Sequence, residues 1–421
     1  MTMKCGLLGL MGAAGMLSGV AQAQTTPPDC NDPTLFPNPV YLTGSSAWEP
    51  MLAKFAVAIQ NANQGKPASE QLSIIYLSSA SCDGVSAALS LPSMTGTGHY
   101  YTPDPAATAT WGALTNNCQF DNAAKGGNLG IKPHIGVSDV PFNLCPGNET
   151  NPMPATLGNW TGPVQSMLIV VPKANATLTS ISAEQAADIW GCGANGGIAP
   201  YIDEAAIQQR VATSGTQVLI GRAIGVSPGA FKGVLNSGTS GVIANLRAVA
   251  DPMKAIGFVA ADAYQSATNA GLMNSLAFRA FNQTKAYYAD STATAIDKRN
   301  VRDGHYAIQG PLNFFAPITA GAPAPLTKRV LDYMTGSVPP DPTKPTGYID
   351  VVANAGNVPA CAMTVQIAPN SSGYFSPYKP AVACGCYFES VVTKSSPAAC
   401  TPCTSSVTCP TGTTCQTGYC E

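Results

Sequence analysis

A β-strand and a polar loop are encoded together in VYLTGSS, residues 40–46, and an amphipathic helix follows them. The helix is indicated by apolar residues spaced three and four positions apart from Trp48 to Ile59. A strand that ends in a loop rich in Gly and hydroxyl groups, directly before a helix, is typical of α/β proteins. We therefore expect residues 40–59 to begin an α/β domain.

The alternation of strand and helix continues along the chain. Further strands are predicted at residues 72–77, 135–137, 167–171, 218–221 and 256–259, and further helices at residues 84–89, 183–190 and 241–249. Short apolar strands separated by helices favour largely parallel or mixed sheets with helices on their faces. The predicted fold class is α/β.

Length and composition indicate two lobes. The chain has 421 residues, of which 45% are hydrophobic, and a single core rarely grows past about 250–300 residues. We predict a first lobe at residues 38–168, a second lobe at 169–296 and a return to the first lobe at 297–345. The net charge of −2 argues against non-specific binding of nucleic acid.

The first residues have the pattern of a cleaved signal peptide. Lys4 precedes a short apolar run at residues 6–20, and Ala21-Gln22-Ala23 fits the small-residue cleavage pattern. The apolar run is too short for a membrane-spanning helix, which needs about 20 residues. We expect a signal peptide at residues 1–23, cleavage after Ala23, and a secreted protein in the periplasm or outside the cell.

Fourteen cysteines in an exported chain predict disulfides. Cys5 would leave with the signal peptide, so the odd remainder predicts at least one cysteine outside an intramolecular disulfide. Residues 377–421 carry seven of the cysteines and are expected to form an appended disulfide-rich tail. Zinc is disfavoured there because no histidine lies nearby, and neither a metal nor a cofactor is predicted. Residues 94–128 suggest an insertion held by Cys82, Cys118 and Cys145.

Four polar loops follow predicted strands and could bind a small anion. They are residues 43–46, 78–84, 138–139 and 222–229. A Gly-hydroxyl loop before a helix offers free N–H groups and the positive end of the helix dipole, and arginine offers a fork of donors. Each loop taken alone also fits ordinary helix capping or a turn. Their order along the chain is the stronger signal.

That order resembles the phosphate-binding component of bacterial phosphate ABC transporters, over roughly residues 38–340. The similar stretches are Thr43-Gly44-Ser45-Ser46 before a helix, residues 76–85 with the Ser81 turn, GVSDVP at 136–141, residues 222–231, and AIGFV at 255–259. The resemblance implies a two-lobed type II periplasmic binding protein. It implies a monomer that holds inorganic phosphate or a related oxyanion between its lobes and delivers it to a membrane permease.

The resemblance also implies a role for individual residues. Ser46 and the Ala47 amide would donate to the anion from a helix start, and Ser81 would add its hydroxyl and amide. Asp139 would accept a proton from a protonated phosphate oxygen, which an ionised sulfate cannot offer. The second lobe would supply the positive charge of Arg222, and the Ser227 region would close the site.

One loop departs from the family, which leaves a second function open. The family's last anion-binding loop follows Arg-x-x-Gly-Ser-Gly-Thr, whereas residues 222–229 are Arg-Ala-Ile-Gly-Val-Ser-Pro-Gly, and Pro228 has no N–H to donate. The alternative is therefore an extracellular interaction protein on the same fold that has lost phosphate binding. An enzyme is not predicted, because the three histidines lie outside any nucleophile motif.

Overall fold

The structure is a computed structural model, and it describes residues 27–104, 114–122, 126–269, 271–339, 341, 343–367, 375–404 and 409–421. The predicted signal peptide lies outside these residues. In the described part, no helix has both the length and the apolar character needed to cross a membrane.

The described residues contain nineteen strands and ten α-helices. The strands are β1 Pro39–Ser45, β2 Ser73–Ser79, β3 Thr97–Tyr101, β4 Thr115–Gln119, β5 Asp121–Asn122, β6 Gly127–Asn128, β7 Ile135–Ser138, β8 Leu157–Pro172, β9 Ser180–Ser182, β10 Gln208–Arg210, β11 Val234–Asn236, β12 Gly257–Ala260, β13 Met273–Ser275, β14 Ala277–Arg279, β15 Gln309–Pro317, β16 Val365–Gln366, β17 Ser376–Pro377, β18 Cys415–Gln416 and β19 Tyr419–Cys420. The helices are α1 Glu49–Asn63, α2 Ser81–Ser90, α3 Ala183–Ala187, α4 Gly215–Ile224, α5 Thr239–Ala248, α6 Ala261–Asn269, α7 Arg299–Arg302, α8 Pro325–Thr335, α9 Gly347–Asn354 and α10 Gly385–Thr393.

A nine-stranded mixed sheet organises the molecule. Its order is β12-β8-β15-β7-β1-β2-β3-β4, with β13 also paired to β8. Strand β1 runs parallel to β2 and β7, whereas β15 is antiparallel to β7 and β8. These pairings and the flanking helices confirm the predicted α/β class with a mixed sheet.

Strand β8 is sixteen residues long, which is enough for it to run through both lobes and join them. Its first part pairs with β15, and its last part pairs with β12 and β13. We call β1, β2 and β7 with α1 and α2 the first lobe, and β10 to β13 with α4 to α6 the second lobe. The residue boundaries predicted for the lobes stay a prediction.

One predicted strand is wrong. Residues 218–221, Val-Leu-Ile-Gly, lie inside helix α4 and form no strand. A run of four apolar residues fits a buried helix turn as well as a strand. The residues at the ends of α4 indicate a helix more clearly than its apolar run does. Ser214 is at the N-cap, and Gly225 ends the helix in a left-handed backbone conformation. The strand that precedes this helix is β10.

Three glycines bring helix α2 close to the sheet. A Cβ atom on Gly44 would lie 2.0 Å from the Val137 carbonyl oxygen, and the φ of +137° at Gly44 also favours glycine. A Cβ atom on Gly84 would lie 2.6 Å from the same oxygen, and one on Gly136 would lie 2.0 Å from the Gly84 oxygen. The backbones of β1, β7 and α2 therefore touch, which fixes the loops at their ends.

Six disulfides confirm the expectation of a cross-linked chain. The pairs are Cys30–Cys118, Cys82–Cys145, Cys361–Cys384, Cys386–Cys400, Cys403–Cys415 and Cys409–Cys420. The single cysteine of the described residues outside a disulfide is Cys192. The predicted insertion at 94–128 adds β3 and β4 to the sheet edge, and Cys118 ties it to Cys30 before β1 rather than to Cys82 or Cys145.

The C-terminal segment is packed against the main body. Helix α10 buries Phe388 and Val392 in the principal hydrophobic core. The Arg302 guanidinium stacks over the Phe388 ring at 5.3 Å and forms a 3.2 Å ion pair with Glu389. The first part of the predicted tail therefore belongs to the core, while the short hairpin of β18 and β19 is held mainly by disulfides.

Candidate functional site

Asp139 lies where three chain segments of the first lobe meet. It follows strand β7 directly and is 2% exposed. The Ser45 hydroxyl, at the end of β1, donates to the Asp139 carboxylate at 2.7 Å. The Ser81 hydroxyl, at the first residue of α2, donates to Asp139 Oδ2 at 2.9 Å. The close glycine packing described above brings these three side chains together.

The charge of Asp139 is held in a low-dielectric environment. Burial raises its pKa, while the hydrogen bonds from Ser45 and Ser81 and the charge of Arg210 act in the opposite direction, and the net shift is upward. When it is ionised, the Asp139 carboxylate can accept a hydrogen bond from a ligand hydroxyl. It repels a fully ionised ligand oxygen placed beside it.

Arg210 is the buried cation of the second lobe. It ends strand β10, is 2% exposed, and ranks among the largest fully buried side chains. Its Nε donates to the Asn236 carbonyl at 3.3 Å and its Nη1 to the Thr239 hydroxyl at 3.0 Å. Its Nη2 donates to the Ser237 carbonyl at 3.0 Å and to the Ser46 hydroxyl at 3.1 Å. The guanidinium is therefore fixed at the boundary between the lobes.

Burial lowers the pKa of Arg210 to about 10, and the charge of Asp139 acts against that shift. Arginine remains protonated at neutral pH even with a pKa of this size. The site therefore places one permanent positive charge beside one buried carboxyl.

Helix α4 brings its first turn to the same place. The Gly215 amide donates to the Ser81 hydroxyl at 3.0 Å, and the Cys82 amide donates to the Thr213 carbonyl at 3.0 Å. A Cβ atom on Gly215 would lie 2.5 Å from Ser81 Oγ, so only glycine fits at this approach. The next residue, Thr216, is fully buried, and its hydroxyl has no hydrogen-bond partner in the structure.

Four of the predicted site residues are brought together. Ser46, Ser81 and Asp139 lie in this cluster through the contacts given above. Ala47 lies there too, since its amide donates to the Ser45 hydroxyl at 3.2 Å and its carbonyl accepts from the Gln165 side chain at 3.3 Å. The loops after β1, β2 and β7 therefore converge as the sequence predicted.

Two of the predicted residues are placed elsewhere. Arg222 is exposed in the last turn of α4, and Ser227 is exposed in the turn after that helix. The prediction assumed a strand before Arg222. Because residues 218–221 are helical, Arg222 lies at the far end of the helix whose start reaches the site. Arg210 instead occupies the place that was predicted for the Arg222 side chain, next to Ser46.

Arg210, Ser45 and Thr216 were missed, although a sequence signal for two of them exists. Residues 210–216 are Arg-Val-Ala-Thr-Ser-Gly-Thr. This stretch carries the Arg, Ser, Gly and Thr of the family pattern Arg-x-x-Gly-Ser-Gly-Thr, with Thr213 in place of the first glycine. The strand before this stretch, β10, contains the polar residues Gln208 and Gln209 and lacks the apolar run that marks a buried strand in a sequence.

The cluster can perform anion recognition. Arg210 supplies a fork of charged donors, the serine and threonine hydroxyls supply neutral donors, and the first turns of α2 and α4 add backbone N–H groups. A metal site is not indicated in the described residues: the thiol-derived sulfur atoms of Cys403, Cys409 and Cys420 lie close together, but all three are in disulfides.

Comparison with known proteins gives remote structural similarity alone. No family model matches the chain, and no curated protein matches it. A Clostridium perfringens structure described as a phosphate ABC transporter substrate-binding protein with bound phosphate is 14% identical; the match covers 77% of this chain and 100% of that one, with a TM-score of 0.49. An ABC-type phosphate transport receptor from Vibrio cholerae is 14% identical over 76% of this chain and 99% of that one, with a TM-score of 0.45.

A phosphate-binding protein from Stenotrophomonas maltophilia is 15% identical over 76% of this chain and 90% of its own, with a TM-score of 0.42. At these identities and TM-scores, the function has to be argued from the residues of this chain.

Proposed function

We propose that this chain is an exported solute-binding protein that holds a small oxyanion between its lobes. Phosphate is the preferred ligand, and an ABC-type membrane permease is the recipient. The observation that carries the proposal is the buried pair of Arg210 and Asp139, contributed by different lobes and surrounded by hydroxyl groups. A buried cation at a lobe boundary is costly unless anionic groups compensate it.

The groups that form hydrogen bonds between the lobes in this structure are the same groups that would donate hydrogen bonds to a bound anion. Ser46 and Ser81 make the side-chain bonds that link the lobes, to Arg210 and to the Gly215 amide. A tetrahedral oxyanion between them could accept from Arg210, from both hydroxyls and from the Gly215 and Ala47 amides. The Thr216 hydroxyl, which has no partner in the structure, is a further donor.

Asp139 supports phosphate over sulfate. A phosphate group that keeps a proton at neutral pH can donate it to the Asp139 carboxylate. Sulfate carries no proton, so its oxygen would face the carboxylate without a hydrogen bond and with like charge. The site therefore favours an oxyanion that presents both a hydroxyl and ionised oxygens.

Calorimetric titration of the disulfide-bonded protein with phosphate, at low salt and with sulfate as the control ligand, tests the proposal. We expect tight phosphate binding in the unmodified protein and a loss of at least about 100-fold in Arg210→Ala, because a buried charged donor is removed. Asp139→Asn is expected to weaken phosphate and to narrow the preference over sulfate. Arg222→Ala is the matched control, since it removes an exposed arginine from the same lobe, and it should bind as the unmodified protein does.

Absence of binding to every small oxyanion would overturn the proposal. It would favour the alternative function, an extracellular interaction protein built on this fold. Equal losses in Arg210→Ala and Arg222→Ala would also count against the site, because they would show a general effect of charge.

Export is part of the proposal and rests on two features. The leader predicted at residues 1–23 would direct the chain out of the cytoplasm, and six disulfides persist best in an oxidising compartment. The ligand class and the permease follow from the site and from the resemblance to phosphate-transport components.

A further inference from the structure

A second buried carboxyl, Asp262, is repelled by the charge of Asp139 in the proposed anion site. It is the second residue of α6 and is 2% exposed. Its Oδ1 accepts from the Ala263 amide at 2.7 Å, whereas its Oδ2 is buried and has no hydrogen-bond partner. Burying an ionised carboxylate whose oxygen accepts no hydrogen bond costs free energy. The Asp262 carboxyl is therefore stabilised either by binding a proton or by a hydrogen-bond donor from a ligand.

Asp262 is connected to the site through Gln165. The Gln165 side chain is fully buried and donates to the carbonyl of Ala47 at 3.3 Å. It also faces the Asp262 carboxyl, where its hydrogen-bonding group acts to lower the pKa of that carboxyl. Its own Oε1 has no partner, and neither does the hydroxyl of its buried neighbour Ser166. Unpartnered buried polar atoms are therefore grouped on the β8 side of the site.

The charged groups around Asp262 give its carboxyl no compensation. Asp139 is the charged residue that acts on it, and it acts by repulsion. Strands β8, β12 and β13, which pack against α6, carry no charged residue. Helix α1 carries two, of which Glu49 contacts His99 and Lys54 lines a separate cavity. Burial raises the pKa of Asp262 well above its ordinary value, and the charge of Asp139 adds to the rise. Hydrogen bonds from the Ala263 amide and the Gln165 side chain act in the opposite direction but do not cancel it.

We propose that Asp262 is a specificity-determining residue of the interlobe site, which enters the bound state as a neutral carboxylic acid and donates a hydrogen bond to an ionised oxygen of the oxyanion. This inference rests on the proposed function. When Asp262 is neutral, the positive charge of Arg210 balances the negative charge of Asp139, and an anion can bind. With Asp262 ionised, the site carries two carboxylates against one arginine and repels the anion. Affinity therefore falls as pH rises through the pKa of Asp262.

The test is phosphate affinity between about pH 5.5 and 9, measured by calorimetry on the full disulfide-bonded protein and on Asp262→Asn, Asp262→Ala and Asp188→Asn. The amide of Asp262→Asn is always neutral and can still donate. We expect its affinity to match the unmodified protein at low pH and to exceed it at high pH, by up to about tenfold for each pH unit above the pKa of Asp262. Asp262→Ala loses the donor and should bind at least about tenfold more weakly at low pH.

Asp188→Asn is the matched control, because Asp188 is an exposed carboxyl of the same lobe, and it should follow the unmodified protein at every pH. Taking the ratio of two affinities at each pH removes the ionisation of phosphate itself from the comparison. A ratio between the unmodified protein and Asp262→Asn that stays constant with pH overturns this inference while leaving the proposed function standing. Absence of phosphate binding at every pH overturns both.

A second measurement does not depend on the ligand. Carbon-detected NMR of the Asp side chains in the free protein should show one carboxyl, missing in Asp262→Asn, that titrates well above the ordinary range. If Asp262 titrates like an exposed aspartate, its carboxyl is ionised at neutral pH and the inference is wrong.

Discussion

At the scale of single residues, Gly44 shows how backbone contact positions the site. Its φ of +137° and its contact with the Val137 carbonyl leave no space for a side chain. The Ser45 and Ser46 hydroxyls follow directly in the chain, so their positions relative to Asp139 depend on that contact. The sequence showed a Gly-hydroxyl loop at residues 43–46, but the reason for the glycine lies in a strand that is distant along the chain.

Gly44→Ala should therefore be strongly destabilising. A Cβ atom 2.0 Å from the Val137 carbonyl oxygen would force β1 and β7 apart, and the positive φ of residue 44 would strain an alanine backbone. We therefore expect a loss of about 3 kcal/mol or more in the free energy of unfolding. Urea denaturation with the disulfides intact measures it. Gly229→Ala is the control, because nothing lies within 4 Å of its Cβ position and its φ is not positive. Equal midpoints for the two variants would contradict the packing argument.

At the scale of secondary-structure elements, the placement of one helix decides which arginine reaches the site. Helix α4 begins at Gly215, next to Ser81, and ends near Arg222 on the surface. A helix of ten residues is about 15 Å long, so the residues at its two ends cannot share a small site. Because residues 218–221 are helical, Arg222 is exposed at the far end of α4, and Arg210 is the arginine that contacts Ser46.

The connection from β14 to α7 contains a buried ion pair between Asp290 and Lys298. Lys298 Nζ donates to both Asp290 oxygens at 2.9 Å, and the Lys298 side chain is 4% exposed. The Lys298 amide also donates to Asp290 Oδ1 at 2.7 Å. Burial raises the pKa of Asp290, and the charge of Lys298 acts against the rise.

Lys298→Met should destabilise the protein by about 3–5 kcal/mol at neutral pH, because it leaves the Asp290 carboxylate buried without a counter-charge. The folded-state pKa of Asp290 would then rise further above its unfolded value. The loss should shrink as pH falls below the raised folded-state pKa, because folded Asp290 then binds a proton, and it should vanish below the unfolded pKa, where Asp290 is protonated in both states. Thermal unfolding at about pH 4.5 and 7.5 measures both effects.

The double variant Asp290→Leu/Lys298→Met is the control for Lys298→Met. It removes both charges and should recover part of the stability. A double variant as unstable as Lys298→Met would show that the cost comes from packing rather than from the uncompensated charge.

At the scale of the whole molecule, the C-terminal segment and the lobes share one core. Phe388 of α10 is fully buried in the principal cluster, and the Cys361–Cys384 disulfide ties the start of this segment to the preceding chain. The sequence indicated a separate tail because the cysteine-rich composition begins near residue 384 and apolar residues become sparse after residue 392. Few apolar residues are enough here because they pack against a core that other elements supply.

Deletion of residues 377–421 should therefore unfold the protein or lower its melting temperature by many degrees, since it exposes the core surface covered by α10. The matched control is deletion of residues 395–421 in a Cys386→Ser background, which keeps α10 and removes the thiol left unpaired. We expect that variant to remain folded with a smaller loss. If both deletions melt alike, the contribution of α10 to the core is wrong.

The sequence by itself determined the α/β class, the converging loops at Ser46, Ser81 and Asp139, and the dense cross-linking by disulfides. The class and the cross-linking follow from local spacing and composition, which a linear chain displays directly. The choice of Ser46, Ser81 and Asp139 follows from the order of loops that resembles the phosphate-binding family. Only the tertiary structure brings the Arg210 guanidinium to the Ser46 hydroxyl, the Ser45 hydroxyl to Asp139, and the Asp262 carboxyl within electrostatic reach of Asp139. Strand β10 has a weak local signal in the sequence, and the Arg210 side chain contacts Ser46 of the first lobe only because β8 joins the two lobes. Contacts between residues more than 70 positions apart depend on that packing, and no short-range pattern contains them.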